Sequence, residues 1–249
     1  MHCKTKAIPA RNPTQDPLIE TKEMSDDDTF NPFECPAVKA PLNDDWAARR
    51  EAAEAARLLI GNLVTTNCDA AALRAVAETI RRQATLLTQE PVLLGRRAFE
   101  DHADGRHGTI NRIAYELNPL DGKSNPISPP FTTWIEGDVT HGRATLGWQY
   151  EGPPNTVHGG FVCALFDQFL GIAQSMTGQP GVTGTLSARL IRPTPLCTEL
   201  HLVARVKQVS GRKNFLTGEI WANGVMTASC ECLFIHVSRE RFRQLQQGI

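Results

Sequence analysis

The chain has 249 residues, enough for one sizeable domain with an extension or for two small domains. With 41% hydrophobic and 21% charged residues it reads as an ordinary globular protein, and a formal net charge of −1 gives no electrostatic case for nucleic acid or an acidic membrane surface. No apolar run approaches the length needed to cross a bilayer, and the opening MHCKTKAIPARNP lacks the apolar core of a secretion signal. Seven cysteines, scattered at 3, 35, 68, 163, 197, 230 and 232, are an odd set that favours free thiols in a reducing compartment, so a cytoplasmic location is expected.

Residues 1–42 hold six of the sixteen prolines, an acidic run Asp26-Asp27-Asp28 and no sustained periodicity, the pattern of a flexible tail. From 43 to 90 the pattern is helical. Asn43 or Asp44 can cap a helix to about residue 62, with Trp46, Ala53, Ala56, Leu59, Ile60 and Leu63 at helical spacing. Asp69 can cap a second helix to about residue 88 that would bury Leu73, Val76, Ile80, Leu86 and Leu87, and the two are expected to form a helical hairpin. Residues 91–130, rich in Gly, Pro and Arg, read as an irregular linker. Its His102, Asp104 and His107 are metal-ligand types, but three such residues on a loop are common without a metal, and none is assigned.

Strand signals begin at Phe131 with FTTWIEGDV, followed after an expected turn at His141-Gly142 by RATLGWQY. Further strands are expected over 182–192, 198–209, 214–222 and 225–237. In the second, Leu200, Leu202, Ala204 and Val206 face one way and Glu199, Arg205 and Lys207 the other; Asn223-Gly224 is a two-residue hairpin turn into the last. Cys230-x-Cys232 falls in that last alternating pattern and lacks zinc-knuckle spacing, so it reads as core packing, as does Cys163.

Between the second and third strands lies the most informative stretch, EGPPNTVHGGFVCALFDQFLGIAQSMTG at 151–178. His158-Gly159-Gly160 opens a helix to about residue 177 in which Asp167 is the only charged residue after Gly159. A helix apolar nearly all round belongs inside a fold, and an ionised carboxylate there costs several kcal/mol unless compensated. The opening glycines allow a ligand close to bare N–H groups at the positive end of the helix dipole. The stretch thus offers an oxyanion site and a buried carboxylate. Two strands, one apolar helix and four meandering strands make an α+β fold with an antiparallel sheet around a single long helix.

That order, with GPPNTVHGG at 152–160, Asp167, Thr183, RPTPL at 192–196 and SGRKNF at 210–215, resembles the PaaI-like acyl-CoA thioesterases of the hotdog fold over residues 131–241. The resemblance implies hydrolysis of an acyl-CoA thioester in a homodimer, which in this family is often paired into a dimer of dimers, with the active site between subunits and no metal or organic cofactor. It assigns Gly159 and Gly160 to polarising the thioester carbonyl, Asp167 of the partner's helix to nucleophile or general base, and Thr183 to positioning the water or the carboxylate. It gives His158 to orienting the thioester. Arg212 and Lys213, in the turn before the fifth strand, are candidates for a coenzyme A phosphate, against the ordinary reading of a solvated basic turn. Some relatives carry Asn or Gln six residues before the His; here that position is Gly152, and the role is not carried over.

Spacing supports the dimer independently. Asp167 lies about two turns, roughly 12 Å, along the helix from Gly159, too far for both to act on one carbonyl. A second helix brought alongside by a two-fold axis would remove the difficulty. A hotdog dehydratase or hydratase needs a differently spaced Asp and His, and Asp138 with His141 is too close. The other readings are a non-catalytic module that binds acyl-CoA or acyl-carrier protein, and a purely oligomeric domain.

Overall fold

The computed structural model describes Phe33 and residues 38–238; the expected tail over 1–42 and the end of the hotdog domain at 239–241 lie largely outside the described residues. Two long helices come first, α1 (Asp44–Thr65) and α2 (Ala70–Leu87). The Asn43 side chain accepts the Trp46 N–H and the Asp69 side chain the Ala72 N–H, so both predicted caps form. Burial differs from expectation. Helix α1 buries Trp46 and Ala53, but α2 buries nothing, and Leu86 and Leu87 are 57% and 73% exposed. A hairpin would have closed the apolar stripe of α2 against α1; the two helices are consecutive and make no such packed face.

The stretch expected to be irregular holds two short helices, α3 (Gly95–Glu100) and α4 (Ile110–Leu117). They carry a small core of their own, in which Trp46 stacks on Phe99 with Ile113. His107 belongs to this core: its ring is buried against Trp46 and Phe99, and burial holds it below the usual imidazole range. His102 pairs with Asp104 at 2.8 Å and meets the His107 ring edge-on with centroids 5.2 Å apart, and among the described residues the three do not form a metal-holding group. Arg50 of α1 reaches Glu116 of α4 with two nitrogens (Nε 3.2 and 3.1 Å, Nη2 2.6 Å), and Ser124 Oγ donates to the same carboxylate at 2.7 Å.

The remainder is one six-stranded antiparallel sheet and a helix. The strands are β1 (Phe131–Glu136), β2 (Val139–Thr145), β3 (Gly181–Leu190), β4 (Glu199–Ser210), β5 (Lys213–Ala222) and β6 (Val225–His236), in the order β1-β2-β4-β5-β6-β3. The β1–β2 turn is not at His141-Gly142, which lie inside β2 opposite Thr133 and Trp134. It falls at Gly137-Asp138, where Glu136 pairs with Val139 and Gly137 takes φ +61°. A glycine at the first position of a two-residue hairpin turn suits the strand twist. Asn223 (φ 51°) and Gly224 (φ 76°) make the other hairpin as expected.

The apolar helix α5 (Gly159–Ala173), continued by a 3-10 turn (Gln174–Thr177), lies on the concave face. Val162, Leu165, Phe166, Phe169 and Leu170 pack on Leu200, Leu202, Leu216, Ile220 and Phe234. Two sheet glycines make room: a Cβ on Gly142 would come within 3.2 Å of Phe169, and one on Gly218 within 3.2 Å of Phe166. Cys230 and Cys232 are buried in the same cluster, and burial pushes their thiols up to about 11 and about 12, so they act as packing groups.

Breaking the Arg50–Glu116 pair from the arginine side leaves a carboxylate only 1% exposed without its cation. Arg50→Ala is expected to cost about 3–5 kcal/mol, measured by chemical denaturation against wild type.

Candidate active site

Helix α5 is not surrounded. The sheet covers one side of it, and the other side, with Gly160, Phe161 and Asp167, is exposed. The expectation of a buried carboxylate is therefore corrected: within one chain Asp167 faces solvent, because a single sheet cannot close round a helix. At the helix start His158 is the cap. Its Nδ1 accepts the Gly160 N–H at 3.0 Å, and its carbonyl accepts from Phe161 and Val162 at 2.9 and 3.3 Å. Among the described residues that leaves the Gly159 N–H as the first-turn donor without a protein acceptor. Of the two amides assigned to the carbonyl, Gly160 is thus engaged by His158. An accepting Nδ1 puts the neutral ring's proton on Nε2, which makes the exposed His158 Nε2–H a donor.

Strand β3 is the edge strand beside this open side, paired only with β6, and it is exposed along most of its length. Its pairing slips between Thr183 and Thr185, at Gly184. Thr183 Oγ1 donates to Asp167 Oδ1 at 2.7 Å. This contact joins two of the residues singled out from sequence, 16 positions apart. One carboxylate oxygen is held by the hydroxyl, and among the described residues Oδ2 has no hydrogen-bond partner. Arg212 and Lys213 sit at the same end of the sheet: Arg212 exchanges hydrogen bonds with His236 (His236 N to its carbonyl 2.7 Å, its Nε to the His236 carbonyl 3.1 Å), and His236 pairs with Gly181, two residues before Thr183. Among the described residues neither basic side chain forms a hydrogen bond or ion pair with Asp167 or His158. Gly152 has no space for the amide that some relatives carry, since a Cβ there would lie 2.6 Å from the His158 Cα.

A family profile described as Thioesterase superfamily matches residues 154–229, the span from the helix entry to the middle of β6. A crystal structure of a thioesterase superfamily protein shares 31% identity with this chain, covers 75% of it and 94% of its own length, and superposes with a TM-score of 0.63. This chain belongs to the thioesterase superfamily. Acyl-coenzyme A thioesterase THEM4 of Bos taurus is 31% identical over 93 residues, 36% of this chain and 38% of that protein. An uncharacterized protein of Schizosaccharomyces pombe is 32% identical over 96 residues, 35% of this chain and 54% of that protein. The chain thus spans about half or less of the curated relatives it matches. The sheet around a long helix is the hotdog arrangement of this superfamily.

Several residues around this candidate site carry no signal in any sequence pattern. Gln168, next to Asp167, donates from Nε2 to Asp121 Oδ2 at 3.2 Å and accepts from Asn118 Nδ2 at 3.1 Å. Tyr150 packs edge-on against Phe161 with ring centroids 4.8 Å apart, and its carbonyl accepts the His158 N–H at 2.9 Å. A cleft of about 780 Å³ lies between α1, residues 122–130 and the β1–β2 edge, and none of Asp167, Thr183 or His158 lines it.

Burial pushes the Asp121 carboxyl up to about 6, against the pull of Lys123 and the Gln168 hydrogen bond. A raised carboxyl holds its proton in the folded chain where the unfolded chain has released it, so folding loses stability as pH rises from about 4 to about 6. Asp121→Asn removes this loss. Its melting temperature relative to wild type is expected to climb between pH 4.5 and pH 7, as thermal unfolding at several pH values would record.

Proposed function

We propose that this protein hydrolyses acyl-CoA thioesters to free CoA and a carboxylic acid, as a homodimer with its sites between subunits. The observation that carries the reading is the Thr183–Asp167 hydrogen bond on the exposed side of a helix whose N-terminal Gly159 N–H is open. The Gly159 N–H of one subunit donates to the developing oxyanion at the positive end of α5, where a preorganised donor is worth about 3–4 kcal/mol. Asp167 of the other subunit, one oxygen fixed by Thr183, presents its second oxygen to a water or to the carbonyl carbon. As a base, Asp167 takes a proton from the water whose oxygen bonds the carbonyl carbon; the C–S bond breaks, and the CoA thiolate takes that proton and leaves as free CoA beside the carboxylic acid. As a nucleophile, Asp167 displaces the thiolate by forming an anhydride, which water then hydrolyses to the acid and the regenerated carboxylate. His158 Nε2–H is free to orient the thioester, and Arg212 and Lys213 are offered to a CoA phosphate. A non-catalytic acyl-CoA or acyl-carrier binding module is the reading to be excluded.

The dimer is supported by the exposed length of β3, a ten-residue edge with unpaired backbone groups next to an uncovered helix face. Val182 is 44% exposed there. Wild type is expected at twice the chain mass by light scattering, and Val182→Lys at one chain mass with no turnover.

Release of free thiol from short, medium, long and aromatic acyl-CoAs tests the chemistry. Asp167→Asn and Asp167→Ala are expected to lower kcat by about 10²–10⁴. Thr183→Val should fall with them, and Thr183→Ser should retain most of the activity. Saturable binding of the same esters by wild type without turnover would replace the enzyme with a binding module.

A further inference from the structure

Resting on the thioesterase reading above, we infer that residues 118–127, between α4 and β1, are a positioning element of the active site that grips α5 at both of its working turns.

The first grip is at the Asp167 turn. Gln168 uses both ends of its amide on this segment, accepting from Asn118 and donating to Asp121. Gln168 follows Asp167 directly, so the turn that aims the carboxylate at one rim of the open face is tied at the other rim. The second grip is at the first turn. Tyr150 Oη donates to the Ile127 carbonyl at 3.0 Å, while the same tyrosine packs against Phe161 and takes the His158 N–H on its own carbonyl. Residue 118–127 contacts therefore bracket the span from the oxyanion amide to the carboxylate.

The segment is built to stay still. Gly122 N–H donates to the Asn118 carbonyl and Leu120 N–H to Asn118 Oδ1, at 2.9 and 2.8 Å. The turn closes so tightly that a Cβ on Gly122 would lie 2.3 Å from the Asn118 carbonyl oxygen. Ser124 is fixed on Glu116, itself held by Arg50, and Arg57 Nη1 donates to the Asn125 carbonyl at 2.9 Å. A rigid path of polar contacts thus runs from α1 to the catalytic helix. The helix needs it, because the sheet supports only its concave side. Displacement of reacting groups by 1 Å can cost about 10²-fold in rate, and functional side chains are held by a supporting layer of locked neighbours. The extension that precedes the hotdog domain is, on this account, part of its active site.

Two variants outside the reacting groups test it, Gln168→Ala and Tyr150→Phe, the second of which keeps the ring on Phe161 and removes only the hydroxyl. Steady-state thiol release and hydrogen exchange are measured together on the full chain. The expected result is a kcat lowered about 10- to 100-fold with KM within about twofold, and faster exchange confined to residues 158–170. Wild-type kcat in both variants overturns the inference, even if exchange rises. So does faster exchange spread over the whole chain with no separate loss of kcat, the signature of a merely structural role. A wild type that turns over no thioester sinks the thioesterase reading and the positioning role with it; the exchange data alone then report whether the segment grips the helix.

Discussion

A curved sheet can cover a helix from one side only. Six strands bury Val162, Leu165, Phe166, Phe169 and Leu170 of α5, and the geometry that does so necessarily leaves the opposite side uncovered. Everything of chemical interest lies along that uncovered side or at its ends: the Gly159 amide, the His158 ring and the Asp167 carboxylate. The small residues Gly160 and Ala164 between them keep the helix backbone approachable. The apolar core sets where the helix sits, and the limit of its coverage sets which of its polar groups face outward.

Both rims of the open side are then made by polar contacts rather than by packing. On one rim the β3 hydroxyl of Thr183 holds Asp167; on the other the Asn118–Gln168–Asp121 bridge ties the next residue to the extension. The extension is itself anchored by a buried carboxylate, Glu116, satisfied by Arg50 and Ser124 at once. Buried charge of this kind is tolerated only when fully paired, and here its pairing fixes the segment that reaches the site.

The notion of a carboxylate inside the fold came from reading α5 as apolar all round, and it fails for a particular reason. Periodicity reports how apolar a face is, not whether this chain covers it. The same limit accounts for α2, whose stripe of Leu73, Val76 and Ile80 was expected to close on α1 and instead remains exposed. The short helices α3 and α4 escaped notice because Gly, Pro and Arg around them mask two-turn patterns, and their core depends on Trp46, far back in α1. The β1–β2 turn was expected at His141-Gly142, whereas Gly137 provides the positive φ that the hairpin requires and Gly142 serves as a gap for Phe131 and Phe169.

The sequence by itself determined what short-range physics can write: a cap at Asn43 or Asp44 and one at Asp69, the Asn223-Gly224 turn, the alternation along β4, the start of α5 at His158-Gly159, and, through the family resemblance, Asp167 and Thr183 as candidates for one site. Tertiary structure alone decided which side of α5 stays open, that Arg50 holds Glu116, and that residues 118–127 reach Gln168. Those contacts join residues 50 and 66 positions apart, as in Asn118–Gln168 and Arg50–Glu116. Single polar side chains meeting at such separations leave no repeat in the chain to read, because their geometry exists only after the core has placed the elements that carry them.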